Sequence, residues 1–203
     1  PYNVNYDFFE ENIEGASAEE ALNRAFGTQF ANDIVDLMLN GDEGSANAFL
    51  QINDGIYDLA IADPLANEIV VSGAADQKAV LKLLLAAHPD KYKINKSDLV
   101  YLVSPTFEEN YRALLGERAT AMGDAYLSES RRSYYQGVEV YPVAQAATDK
   151  PVLTSWKNIA VGIGRDITRE IERKPRFQHV EYTITAKMDF NYAVSEAITI
   201  GNG

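Results

Sequence analysis

The sequence predicts an α+β fold in which one long helix packs on long antiparallel strands, with an α/β body inserted between them. Three observations carry this. Leu22, Phe26, Phe30, Ile34 and Leu37 recur at spacings of three and four, the stripe of an amphipathic helix. Ile159 to Ile171 and Val180 to Val194 read as two long strands joined at Lys174-Pro175-Arg176. Between helix and ribbon, short apolar runs alternate with helical patterns, as in crossover units around a small sheet. The expected division is residues 1–44 with 151–190 as one domain and 45–150 with 191–203 as the other.

In chain order, residues 2–9 look extended, and Ser17 with Glu20 three positions on forms a capping box that opens the helix. At about 1.5 Å per residue, Ser17 to Leu39 makes a rod of roughly 34 Å. Asn40-Gly41 supplies a left-handed stop, the conformation that glycine adopts without a Cβ penalty. Ile69 to Val71 is a short strand, Ala75 to Ala87 a helix and Leu99 to Val103 a continuous apolar strand. Ser104-Pro105 opens another helix, with Ser as cap and Pro in the first turn. Val138 to Val143 is a further strand, and the loop Ala144 to Pro151 leads back to the ribbon.

In the ribbon every second residue from Val180 is apolar (Tyr182, Ile184, Ala186, Met188, Phe190, Tyr192, Val194), while His179, Glu181, Thr183, Thr185, Lys187, Asp189 and Asn191 fill the other face. That is the period of a half-buried strand. Fifteen residues at roughly 3.3 Å span about 50 Å, against about five or six residues for an ordinary strand. Such a ribbon leaves an edge that charge must blunt or another chain must cover. The rod's apolar stripe and the apolar face of Val180 to Val194 are the two long complementary surfaces, so they are expected to pack together.

The chain has 203 residues, 46% of them hydrophobic and 24% charged, enough for a core without staples. No run is long and apolar enough to span a membrane. With no cysteine there are neither disulfides nor thiolate metal sites. A formal net charge of -12 repels the phosphate backbone, which argues against tight, direct DNA binding. Pro1 in place of a methionine, followed by strand-like Tyr2 to Tyr6, reads as a fragment or processed product.

The rod with Asn40-Gly41-Asp42, the run Leu99-Val100-Tyr101-Leu102-Val103-Ser104-Pro105, the strand Gly137-Val138-Glu139-Val140-Tyr141-Pro142-Val143 and the closing β-segments from Asn158 to Gly203, in this order, resemble the major capsid protein of tailed bacteriophages, the Hong Kong 97-type capsid fold shared with encapsulin shells. Glu43 before Gly44 departs from that family's Asn-Gly-Asp-Gly turn. The resemblance implies that residues 1–44 and 151–190 form a peripheral domain and 45–150 and 191–203 an axial domain. It implies a major capsid protein of a tailed phage or prophage, self-assembling into an icosahedral shell around the DNA genome. The implied partners are copies of itself in pentamers and hexamers, packaged DNA only non-specifically, and a scaffold or maturation protease. The implied location is the virion, with assembly in the bacterial host cytoplasm and no membrane. The family's amino-terminal arm and extended loop would lie before Pro1. An encapsulin-type compartment holding a cargo enzyme shares the fold and is the alternative.

For an enzyme the inventory is thin, and no catalytic, cofactor or metal residues are expected. His88 ends a helix before Pro89, and His179 lies on the polar face of the ribbon; solvent exposure or a local hydrogen bond is the expected state of each. Gly162-Ile163-Gly164 lacks the third glycine of a dinucleotide fingerprint and falls inside a strand. The loop Asn40 to Ser45 lacks the ligand spacing of an EF-hand. A distant alternative is a carboxylate-pair hydrolase using Glu170 or Glu172 with Glu181, which needs one raised pKa in a buried cleft.

Along the strand, Arg165, Ile167, Arg169, Ile171 and Arg173 share one face, and Asp166, Thr168, Glu170 and Glu172 the other. This two-signed stretch is expected either to contact neighbouring subunits, through Arg165, Asp166, Arg169, Glu170 and Arg173, with guanidinium forks meeting carboxylates across an interface, or to stand as a solvated edge whose charges discourage aggregation.

Overall fold

The computed structural model describes residues 2–7, 18–117 and 132–203. In chain order the elements are β1 (Tyr2–Asn5), α1 (Ala18–Asn40), α2 (Ile56–Ala62), β2 (Asn67–Val70), α3 (Gln77–Ala87), β3 (Leu99–Val103), α4 (Pro105–Gly116), β4 (Ser133–Tyr135), β5 (Val138–Pro142), β6 (Val152–Ser155), β7 (Ile159–Lys174), β8 (His179–Tyr192) and β9 (Thr199–Asn202). They fall into two compact units, residues 1–34 with 161–189 and residues 35–160 with 190–203. The expected helix cap Ser17, and residues 8 and 9 of the expected first strand, lie outside the described residues.

The first unit is a three-stranded sheet of order β1-β8-β7 with the first part of α1. The antiparallel register of β1 on β8 runs from Tyr2 opposite Tyr182 to Asn5 opposite His179. β7 and β8 are 16 and 14 residues long, and the turn Pro175–Phe177 joins them. The turn closes on Gln178 at φ 52°, whose carbonyl accepts from Tyr6 N at 2.9 Å.

As the periodicities predict, Leu22, Phe26, Phe30 and Ile34 are the partly protected apolar positions in the part of α1 that belongs to this unit, and Phe26 packs on Tyr182 with ring centroids 5.8 Å apart. Among the described residues, Val180 and Tyr182 are the only hydrophobic side chains of this unit that are fully buried.

The second unit is a six-stranded mixed sheet of order β2-β9-β6-β3-β5-β4. β3 sits inside it, parallel to β5 and antiparallel to β6. Its residues alternate between two cores. Leu99, Tyr101 and Val103 pack with α3, α4, Val138, Val140 and Leu153 on one face, and Val100 and Leu102 pack with Leu39, Ile56, Ala60, Ile198 and Ile200 on the other. This is why the run reads as continuously apolar. Asp76 caps α3 by accepting from Ala79 N at 2.7 Å, and Ser104 caps α4 by accepting from Phe107 N at 3.2 Å, with Pro105 in its first turn.

Two local expectations are overturned. Tyr6 and Asp7, read as part of an extended segment, are helical. Gly41 is not left-handed; among the described residues the glycine at positive φ is Gly137, in the tight turn between β4 and β5. Gly41 is required for space instead. A Cβ there would meet the Asn53 carbonyl oxygen at 2.2 Å and the Leu37 carbonyl oxygen at 2.6 Å. Gly55 lies against the same spot and donates its N–H to Gly41 O at 2.9 Å. The helix therefore ends where two glycine backbones abut.

Candidate assembly surface

β7 is an edge of its sheet, and every residue from Ala160 to Arg173 is exposed. Its faces can be assigned from contacts. Arg169 reaches Asn23 of α1 and lies 6.0 Å from the centre of the Tyr182 ring, so odd positions share the α1 side of the sheet. Thr168 Oγ1 lies 2.7 Å from Thr185 Oγ1, and Lys174 pairs with Glu181, so even positions share the other side. Cβ atoms added at Gly162 and Gly164 would point at Asp189 and Lys187, which keeps the alternation intact along the strand.

The odd side presents Arg165, Arg169 and Arg173 with Ile163, Ile167 and Ile171, which are 62%, 54% and 45% exposed. The even side presents Asp166, Glu170 and Glu172. Of the five residues singled out in the sequence, Arg169 has the partners just named; for Arg165, Asp166, Glu170 and Arg173 no salt bridge occurs among the described residues. Four exposed charges and a row of exposed isoleucines thus lie along this edge strand.

The carboxylates weighed for hydrolysis occupy the opposite of the required environment. Lys174 bridges Glu181 and, at 3.6 Å, Glu172. Its hydrogen bond holds the Glu181 carboxyl below the usual range, whereas an acid catalyst needs it raised. Glu170 stands exposed on the strand.

Of the histidines, His179 is a surface residue near the Phe177 carbonyl at 3.3 Å. His88 differs from the expectation of exposure or a local bond: it is 1% exposed, and its Nδ1 lies 2.9 Å from Thr199 Oγ1 on β9, 111 residues away. Its Nε2 is buried without a hydrogen-bond partner, the Tyr92 ring packs beside it, and Lys93 is the nearby charge. Burial first, and Lys93 second, push its pKa down from 6.5 to about 4. The folded chain thus keeps His88 neutral where the unfolded chain binds a proton. Stability falls as pH drops below about 6.5 and is lost to the extent of about 3 kcal/mol by pH 4. Urea unfolding at pH 7 and pH 4.5 checks this, and His88→Asn should flatten the dependence.

Asp42, Asp54 and Asp58 bring carboxylate oxygens within 4.8 Å of one another beside the Gly41 turn. Two of them already serve the loop: Asp54 accepts from Glu43 N at 2.8 Å and Asp42 from Gly44 N at 2.7 Å. Partial burial and the charges of Asp54 and Asp42 raise the pKa of Asp58, against the pull of Lys150. The sequence reading took in the Asn40 to Ser45 loop and missed its meeting with Asp54 and Asp58, which the close approach of Gly41 to Gly55 brings about.

No family model matches the chain. The Bacillus subtilis protein YqbE, described as a prophage capsid protein, is 26% identical over 97% of this chain, which spans 65% of that protein's length. A chain of the satellite phage P4 procapsid, solved with its size determination protein, superposes with a TM-score of 0.76 over 99% of this chain and 68% of its own, at 15% identity. The SrpI encapsulin complex from Synechococcus elongatus superposes with a TM-score of 0.61 over 98% of this chain and 70% of its own, at 11% identity. A long helix on a long antiparallel ribbon, a mixed six-stranded body and these superpositions along nearly the whole chain agree: this polypeptide has the Hong Kong 97-type capsid fold.

Proposed function

We propose that the protein is the major capsid protein of a tailed phage or prophage, assembling into a closed icosahedral shell around DNA. The observation that carries this reading is the likeness, along 97% of the chain, to a protein described as a prophage capsid protein. The architecture supports it. A first unit whose described residues include two buried hydrophobic side chains and an exposed, charged edge strand can bury further surface when other copies abut it. In this reading the first unit is the peripheral part of the tile and the second the axial part, clustering in pentamers and hexamers. The net charge of -12 suits a wall that encloses DNA without gripping it. The protein acts by assembly and not by catalysis, as a component of the virion built in the host cytoplasm. A scaffold and a maturation protease are the further partners of this role.

Expressed alone at full length, the protein should sediment as particles far larger than a small oligomer. A single monomeric species at all concentrations contradicts the proposal. The compartment alternative is separated by content: portal, protease and terminase genes alongside belong to a phage head, whereas a neighbouring peroxidase or ferritin-like gene belongs to a cargo shell.

A further inference from the structure

We infer that β7 makes a head-to-tail contact between copies of this chain, the Arg165–Arg169–Arg173 side of one copy seating on the Asp166–Glu170 side of the next. The inference rests on the shell reading above and names the partner of its open edge. Charge, spacing and symmetry carry it.

The two signs are segregated by face. Every charged residue of β7 between Ile163 and Arg173 on the α1 side is an arginine, and every one on the other side is a carboxylate. β8 adds no charge to the cationic side between Val180 and Met188, since its even positions are Val180, Tyr182, Ile184, Ala186 and Met188. The arginines recur every fourth residue, about 13 Å apart along a strand, and Asp166 and Glu170 recur at the same interval. Arg165 and Arg169 of one copy can therefore meet the two carboxylates of another in register, each as a forked, charge-assisted pair. Arg169 is pre-ordered for this by Asn23 and the Tyr182 ring, which lowers the side-chain entropy lost on contact. Ile167 and Ile171 stand between the arginines and supply apolar contact. Between the carboxylates stands Thr168, held by Thr185.

Symmetry disfavours the two-fold alternatives. A two-fold contact uses the same patch on both copies, so the odd side against itself sets arginine on arginine, and the even side sets Asp166, Glu170 and Glu172 on one another with Lys174 and Lys187 as the opposite charges. Pairing β7 edge to edge about a two-fold axis places residues of one face opposite each other. No such register puts an arginine opposite Asp166, Glu170 or Glu172, because those carboxylates all lie on the other face. The satisfied arrangement joins unlike patches, and a contact between unlike patches closes into rings when its rotation allows.

The test uses the full-length protein. Arg165→Glu with Arg169→Glu sets acids where the carboxylates of the next copy seat; Asp166→Arg with Glu170→Arg sets arginines where its arginines seat. Each pair should lower particle yield by at least about tenfold while circular dichroism shows a folded subunit, because like charges then face each other. The chain carrying all four changes exchanges the signs at both matched pairs, restores their complementarity and should recover yield to within about threefold of the unmutated protein. Undiminished yield from either reversed pair overturns the contact. Reversed pairs that fail together with a four-fold variant that does not recover overturn the head-to-tail arrangement. Absence of particles from the unmutated protein overturns the shell reading, and the contact with it.

Discussion

Gly41→Ala is expected to destabilise the second unit by about 3 kcal/mol or more, the upper range for forcing atoms into a packed site. The added methyl would lie 2.2 Å from the Asn53 carbonyl oxygen and 2.6 Å from the Leu37 carbonyl oxygen. Both are backbone atoms, so no side-chain rotamer relieves the clash. The helix end and the Asn53-Asp54-Gly55 loop must separate, which breaks the 2.9 Å bond from Gly55 N to Gly41 O and disturbs Leu39 and Ile56 in the core below. For a chain of this length the melting midpoint should fall by about 10 °C. Gly73→Ala is the control: nothing lies within 4 Å of its Cβ position, and its effect should stay within about 0.5 kcal/mol. Equal melting of the two variants would show that the two glycine backbones do not abut.

Tyr182→Ala should unfold the first unit selectively. Truncating a buried aromatic costs about 3–5 kcal/mol, and Tyr182, 2% exposed, is one of two fully buried hydrophobic side chains described in that unit. The variant also removes the partner of Phe26 and the ring beneath Arg169. The second unit keeps its two separate cores on either face of the sheet and should be unaffected. Hydrogen exchange reads this directly: amides of β7 and β8 should lose protection while those of β3 and β6 keep it. Unchanged protection in β7 and β8 would mean that Tyr182 does not hold the sheet to the helix.

The elements that were legible in the sequence are those whose period is sustained. The stripe from Leu22 to Ile34 and the alternation from Val180 give a helix and a strand long enough for pattern to outweigh composition, and the segregation of charge from Arg165 to Arg173 follows from the same period of two. Short elements were lost. β6 and β4 are four and three residues long, too brief to show a period, and α2 begins at Ile56 with no capping side chain to announce it. Gly41 was placed correctly as the helix end but for the wrong cause, since a steric demand from Asn53 and Gly55 has no local signature. His88 shows the same limit. Its partner Thr199 and its burial belong to the sheet order that seats β9 between β2 and β6, which one strand's own residues do not encode. The charge pattern of β7 is more legible than the core contacts because alternation along one strand needs no knowledge of a distant partner.

Cryo-electron microscopy of particles formed by the full-length protein tests the central claim most directly, since it reports both closure and the environment of β7. The account predicts closed shells of icosahedral symmetry in which the arginine side of β7 in each copy lies against the carboxylate side of another. Closed shells with both faces of β7 open to solvent, or a protein that stays monomeric at every concentration imaged, would contradict it.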